Sequence, residues 1–233
     1  MKRMTIVSRV MASAFLLLVS RAASAAPPTT TPSTWTGGAA FLGAQPLGDF
    51  SDSSGFGAGA TATATLWRKA TPLGLRFEFG GVVYGSRKLR QTVRSAPNGY
   101  PLERTADNWF ATVQVGPELA KRSGPVRPYA FATAGASYFA TSFETSTDLG
   151  MPVESVVTYD SWTFAARGGV GVQVPVGRST TLDLGARYLY NSEVKYLAEG
   201  DLGVVEKGEI VVGHPRQSSV QLFEFVVGIR FDF

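Results

Sequence analysis

The chain has 233 residues, no cysteine, 26 glycines and 13 prolines, and its 22 Lys and Arg exceed its 18 Asp and Glu. Disulfide bracing, thiol catalysis and cysteine-ligated metal sites are thereby excluded, and the glycine and proline content argues against a helical bundle. The formal charge of +4 would suggest an anionic partner such as nucleic acid, but the first 25 residues account for it.

Lys2, Arg3 and Arg9 form a positive start, Val10 to Val19 an apolar stretch, and Ala23-Ser24-Ala25 a small-residue cleavage signal. That order is a secretory signal peptide, cut after Ala25. The apolar stretch is too short to cross a bilayer as a helix, which needs ~20 residues. Removal takes Lys2, Arg3, Arg9 and Arg21 with no acid, leaving 18 basic against 18 acidic residues. The mature part is neutral, and a nucleic-acid partner loses its support. Residues 26–34, with the run Pro27–Ser33 (PPTTTPS), are a polar, proline-rich lead-in expected to be disordered. Residues 35–233 keep one character throughout and are expected to form one domain.

That domain reads as strands of alternating residues separated by turn signals: Trp35–Leu42, Gly57–Trp67, Leu75–Ser86, Asn108–Leu119, Pro128–Phe143, Tyr159–Val174, Thr180–Tyr190 and Ser218–Phe233. Residues 68–74, 120–127 and 175–179 are short connections with Pro and Gly, whereas 43–56, 87–107, 144–158 and 191–217 are longer and polar. Strict short–long alternation is the pattern of an outer-membrane barrel, with short periplasmic turns and long outer loops. The fold class predicted is all-β: a transmembrane, antiparallel, up-and-down β-barrel of about eight strands. The length of 191–217 leaves room for ten.

A period of two puts alternate residues on opposite faces. In the last segment Phe223, Phe225, Val227, Ile229, Phe231 and Phe233 oppose Glu224, Gly228, Arg230 and Asp232. Leu75, Phe77, Phe79 and Val83 oppose Arg76 and Glu78, and the fourth, sixth and seventh segments set Glu118, Arg167, and Asp183 with Arg187 against apolar rows. The second and fifth segments, rich in Ala, Gly and Thr, have no clear phase. Periodicity alone allows a soluble barrel of the lipocalin kind, with the apolar face inside. Aromatic residues at strand ends (Trp35, Trp67, Tyr84, Trp109, Tyr129, Trp162, Tyr188, Tyr190, Phe231 and Phe233) read instead as interfacial girdles of a membrane barrel.

The closing run VVGIRFDF, ending at Phe233, resembles the terminal strand of Gram-negative outer-membrane proteins. Gly37–Phe50 (GGAAFLGAQPLGDF) resembles the first strand and loop of the OmpA/OmpX-like family of small barrels. The resemblance covers nearly all the mature chain in pattern but only these two stretches in motif. It implies residence in the outer membrane, insertion by the barrel assembly machinery with Phe233 as its recognition signal, and a monomer among lipid and lipopolysaccharide.

The inward set, Arg76, Glu78, Glu118, Arg167, Asp183, Arg187, Glu224, Arg230 and Asp232, carries four positive and five negative charges. An eight-stranded bore is only wide enough for side chains to fill it, so these residues are expected to pair as a structural plug, Arg187 with Glu224 among them. Catalysis is not expected. The lone His214 lies in the 191–217 loop, and Arg216 stands where the lipid A deacylase motif has its serine. No metal-ligand spacing is present, and the glycines of residues 55–59 precede no helix, as a phosphate loop requires. No cofactor is implied. Arg87, Lys88, Arg90 and Arg94 make the second long loop basic, either as lipopolysaccharide contacts or as ordinary solvated charges. The reading is a structural or surface-interaction barrel (adhesion or envelope integrity). A transporter of small hydrophobic solutes, as in OmpW-like barrels, is the alternative, and a lipid A-modifying enzyme comes third.

Overall fold

The computed structural model describes residues 34–52, 54–68, 71–93, 100–147, 152–196, 202–204, 210–212 and 216–233. In chain order the elements are β1 (Trp35–Leu47), a 3-10 helix η1 (Gly48–Asp52), β2 (Gly57–Trp67), β3 (Leu73–Val93), β4 (Tyr100–Ala120), β5 (Arg127–Thr147), β6 (Pro152–Pro175), β7 (Thr180–Tyr196), the short β8 (Leu202–Val204) and β9 (Ile210–Val212), and β10 (Arg216–Asp232). Eight of the strands close a barrel in the order β1-β10-β7-β6-β5-β4-β3-β2, all antiparallel, while β8 and β9 pair only with each other. Within residues 191–217 the first six continue β7, the last two begin β10, and β8 and β9 stay outside the barrel, which has eight strands rather than ten. The seam between first and last strands is a full ladder from Thr36–Asp232 to Leu47–Gln221. The Phe233 N–H donates to the Trp35 carbonyl at 2.9 Å beyond it.

At the short-turn end, the strands begin and end within two residues of their expected limits. At the other end all but β2, which begins at Gly57 as expected, run further. Residues 87–93 and 100–107 are not a loop but a continued β3–β4 ladder, with Arg87 opposite Ala106, Lys88 opposite Thr105 and Arg90 opposite Glu103. Apolar alternation in the sequence stops near Ser86 and Asn108, but backbone pairing does not need it.

The wall is apolar outside and polar inside. Phe41, Phe79, Phe164 and Phe225 are more than half exposed, while Arg76, Glu118 and Glu224 are fully buried. This is the reverse of a soluble barrel and suits a hydrocarbon surround. Along β4 the outward row runs from Leu119 to Trp109. At a rise of ~3.3 Å per residue and a tilt of about 40° it covers roughly 25 Å, the height of such a band. The two ambiguous strands resolve in the same sense. In β2 Thr61, Thr65 and Trp67 turn inward, and in β5 Tyr129, Phe131, Thr133, Ser137, Phe139 and Thr141 do so, leaving alanines outside.

The aromatic girdles need a correction. Trp109, Tyr138 and Trp162 form a contiguous outer belt, with ring centroids 5.8 and 5.0 Å apart, and Tyr188, Tyr190, Trp35, Phe231 and Phe233 are also outward. Trp67, Tyr84 and Tyr129 are buried in the lumen instead. Their strand parity is that of Thr65, Val82 and Phe131, all inward.

Candidate functional site: the barrel lumen

In the short-turn half of the lumen, eight charged side chains form one connected network. Arg76 donates through Nε and Nη2 to Glu78 Oε2 at 2.9 and 2.7 Å, and through Nη1 to Glu118 Oε2 at 2.9 Å. Glu78 Oε1 accepts from Arg167 and, at 3.1 Å, from Arg187 Nη1. Arg167 Nη2 reaches Glu224 Oε1 at 3.1 Å. Arg230 joins Glu118 Oε1 (2.7 Å) to Asp183 Oδ2 (2.9 Å), and the Thr65 hydroxyl adds a bond to Glu118 at 3.1 Å. Four arginines thus meet four carboxylates, and none of the eight is more than 3 % exposed. Burying such charges is tolerable only because they are paired.

Aromatic rings fill the spaces between the guanidinium groups. The Phe131 ring lies 4.1 Å from Arg76 Cζ and 5.5 Å from Arg187 Cζ, and Tyr129 lies 4.6 Å from Arg230 Cζ, within cation–π range. Small residues directly opposite these rings on the adjacent strand β6 make the room. A Cβ on Gly169 would stand 2.6 Å from Phe131 Cε1 and 2.9 Å from Arg187 Cγ, and one on Gly171 2.5 Å from the Tyr129 hydroxyl.

All the expected inward charges but one belong to this network. Asp232 lies at the short-turn rim, partly exposed, and accepts from Thr36 Oγ1 (3.2 Å) and Arg127 Nη1 (3.5 Å). It is two residues beyond Arg230, at the end of β10, too low to reach the layer. The expected Arg187–Glu224 pair is also corrected. The two are direct partners across the β7–β10 ladder, but Arg187 extends to Glu78 on the opposite wall and Glu224 accepts from Arg167. A long side chain in a narrow bore reaches across it as easily as along its own wall.

Above the network the Thr133–Gln114 (2.8 Å) and Ser137–Asn191 (2.6 Å) bonds give way to an apolar tier, and the Thr141–Asn108 bond (2.7 Å) lies beyond its Phe110–Phe139 pair. Leu42, Val82, Tyr84, Phe110, Phe139, Leu189, Val220 and Leu222 pack together inside the long-loop half. Phe50 of η1, fully buried, is inserted into this cup and meets Tyr84 and Tyr196 edge to face, each at 5.1 Å. Gly48 opens η1 at φ +59°, a conformation that favours glycine, and turns the chain back over the mouth. Tyr196 and Val194 join the cup because Ser192 and Glu193 together oppose Ser219, a bulge that reverses the phase of β7. The expectation of a lumen plugged by charge alone is therefore half right: a charged layer and an apolar layer lie in series. The signal was present in the sequence, because Leu42, Phe110, Leu189, Leu222 and Val226 share strand parity with the inward polar residues.

The backbones of Arg87, Lys88 and Arg90 lie on β3, but their side chains are outside the described residues, as are Arg94 and His214 altogether. Among the described residues no three His, Asp or Glu side chains come together as a metal-ligand set.

No protein-family model matches the chain, and no curated protein matches it. Solved structures do. The chain is similar to Ail, the attachment invasion locus protein of Yersinia pestis, with 12% identity and a TM-score of 0.46 over 87% of this chain and 100% of that one. It is similar to Neisserial surface protein A (18% identity, TM-score 0.44, 86% of this chain and 98% of that one). A major outer membrane protein from Thermus thermophilus gives 13% identity and a TM-score of 0.46 over 85% of this chain and 99% of that one.

Proposed function

We propose that the chain is an exported, integral β-barrel protein of a Gram-negative outer membrane, with a structural or surface-interaction role and a sealed lumen. The observation that carries this reading is the inversion of the wall: outward Phe and Val rows around a buried, paired set of four arginines and four carboxylates. Only a lipid surround makes such a wall favourable. The signal peptide of residues 1–25 supplies export, and Phe233 the contact with the assembly machinery. The short turns then face the periplasm, while the long segments, with Arg87, Lys88, Arg90 and Arg94, face the lipopolysaccharide side and carry whatever adhesive specificity exists. No catalytic role is assigned to His214.

One observation favours a second reading, transport of small hydrophobic solutes: the apolar cup under Phe50. The cup ends on the charged layer, which favours the sealed barrel. The test is fractionation of expressing cells with heat-dependent gel migration, followed by planar-bilayer recording of the purified barrel. The proposal expects outer-membrane recovery, a heat-shifted band and baseline conductance. Soluble periplasmic recovery would refute residence, and steady ion currents would refute the seal.

A further inference from the structure

The three tight turns lie along one rim of the barrel, and their charge is one-sided. Arg68 follows β2, Lys121 and Arg122 follow β4, Arg127 begins β5 and Arg178 precedes β7. Among the described side chains of this rim only Asp232 opposes them. The long segments at the other end, residues 43–56, 87–107, 144–158 and 191–217, hold eight basic against 12 acidic residues. The short-turn rim is thus net basic, where the long segments taken together are net acidic. Arg127 is engaged by Asp232 and Arg122 lies 4.1 Å over the Trp67 ring, while Arg68, Lys121 and Arg178 extend into solvent.

The same turns present apolar side chains outward. Val126 stands beside Arg127 and Val176 two residues before Arg178, each about half exposed, with Leu73 and Leu119 on the wall just above. Turns projecting into water gain nothing from such valines. Turns lying at the boundary of hydrocarbon and headgroup bury the valine and leave the cation at phosphate level. Just above Arg68 the outer wall also carries a groove of about 440 Å³, lined by Leu66, Leu73, Leu75 and Pro117, with Arg68 itself in its lining. It opens sideways, on the same face as Phe77 and Phe79.

We infer that this rim is a binding site for anionic glycerophospholipid. An acyl chain lies in the groove of β2, β3 and β4, Arg68 holds the phosphate, and Lys121 and Arg178 extend the attraction around the rim. The inference rests on the membrane reading proposed above. A lipid fits better than an acidic protein because cation and valine alternate within single turns and the groove opens to the side, not downward.

The mature barrel, folded into phosphatidylcholine vesicles, would be probed with spin-labelled phosphatidylglycerol and spin-labelled phosphatidylcholine. Phosphatidylglycerol should associate about threefold more strongly, and the preference should shrink at about 0.5 M salt. The triple variant Arg68→Gln, Lys121→Gln, Arg178→Gln should bring the two lipids level, with Arg68→Gln alone removing the largest share. Heat-dependent migration scores insertion separately, so a barrel that fails to insert indicts the membrane reading and not the rim. Equal association of both lipids with inserted wild type overturns the inference. A preference that survives the triple change overturns it too, as does displacement of the labelled lipid by millimolar glycerol phosphate, which would make this a site for soluble phosphates.

Discussion

Arg187 and Glu224 face each other across the β7–β10 ladder, yet each is bonded to a third strand: Arg187 to Glu78 on β3, Glu224 to Arg167 on β6. Glu78 is consequently the centre of the network, holding three arginines, where Glu224 holds one.

Unequal connectivity gives an ordered set of stabilities. Removing one partner of a buried pair leaves an uncompensated charge, at a cost of ~3–5 kcal/mol. Glu78→Gln should reach the upper part of that range, and Glu224→Gln should cost less. In double-mutant cycles read by urea unfolding of the barrel in vesicles, Glu78 with Arg187 should couple strongly. Arg187 with Glu224 should couple weakly despite their adjacency. The opposite ranking would mean that the cross-lumen bonds do not form.

The orientation of the wall can be checked by depth. Arg substituted at Phe79 or Phe225, midway along the outward rows, should cost roughly 2–4 kcal/mol in a bilayer. At Trp162, in the outer aromatic belt, it should cost about 0–1 kcal/mol. The gradient matters more than either value. A flat profile across Phe79, Phe225 and Trp162 would contradict a lipid-facing exterior.

Much of this was legible in the sequence because alternation and turn chemistry are local. The eight barrel strands, their short-turn ends and the faces of five segments follow from them. The phase of β2 and β5 was not legible, because alanine and glycine suit either side of a wall, and it took the facing Trp67, Tyr129 and Phe131 to decide it. The apolar half of the lumen was legible through parity alone, against residue type. A two-state pattern assigns Leu189 and Leu222 to lipid by type and to the lumen by parity, and parity prevails because the backbone fixes it. The bulge at Ser192 and Glu193 and the inward turn of Phe50 depend on tertiary packing, which no periodicity reports. Ion-pair partners were misassigned for a related reason: register fixes Cα neighbours, not where a guanidinium ends.

Gly168 and Gly169 are adjacent on β6 and should respond in opposite ways to alanine. A methyl group on Gly168, exposed on the outer wall, meets nothing closer than the Phe131 carbonyl oxygen at 4.0 Å. Gly168→Ala should be neutral or stabilise by about 0.4–1 kcal/mol through loss of unfolded-state freedom. The same group on Gly169 strikes the Phe131 ring and the Arg187 stem, and overpacking of this kind costs about 1–3 kcal/mol. Comparable unfolding midpoints for the two variants would show that the lumen on this side has slack.

Phe50 tests whether the two lumenal layers act independently. Its ring is held by Tyr84 and Tyr196 but is carried by a five-residue helix outside the ladder. Its loss should therefore open η1 locally and leave the barrel intact. Phe50→Ala should make the η1 segment more susceptible to protease while moving the global unfolding midpoint less than Phe110→Ala. Phe110 sits on β4 and stacks on Phe139 at 5.0 Å, so its deletion should cost the full ~3–5 kcal/mol of a buried Phe. Phe50→Leu should restore most of the protection, because the cup asks for apolar volume and not for a ring. Conductance should stay at baseline in all three variants, since the arginine–carboxylate layer lies below the cup and is untouched. Ion currents through Phe50→Ala would show that the apolar layer alone closes the barrel, and that the charged layer passes ions once the cup is open.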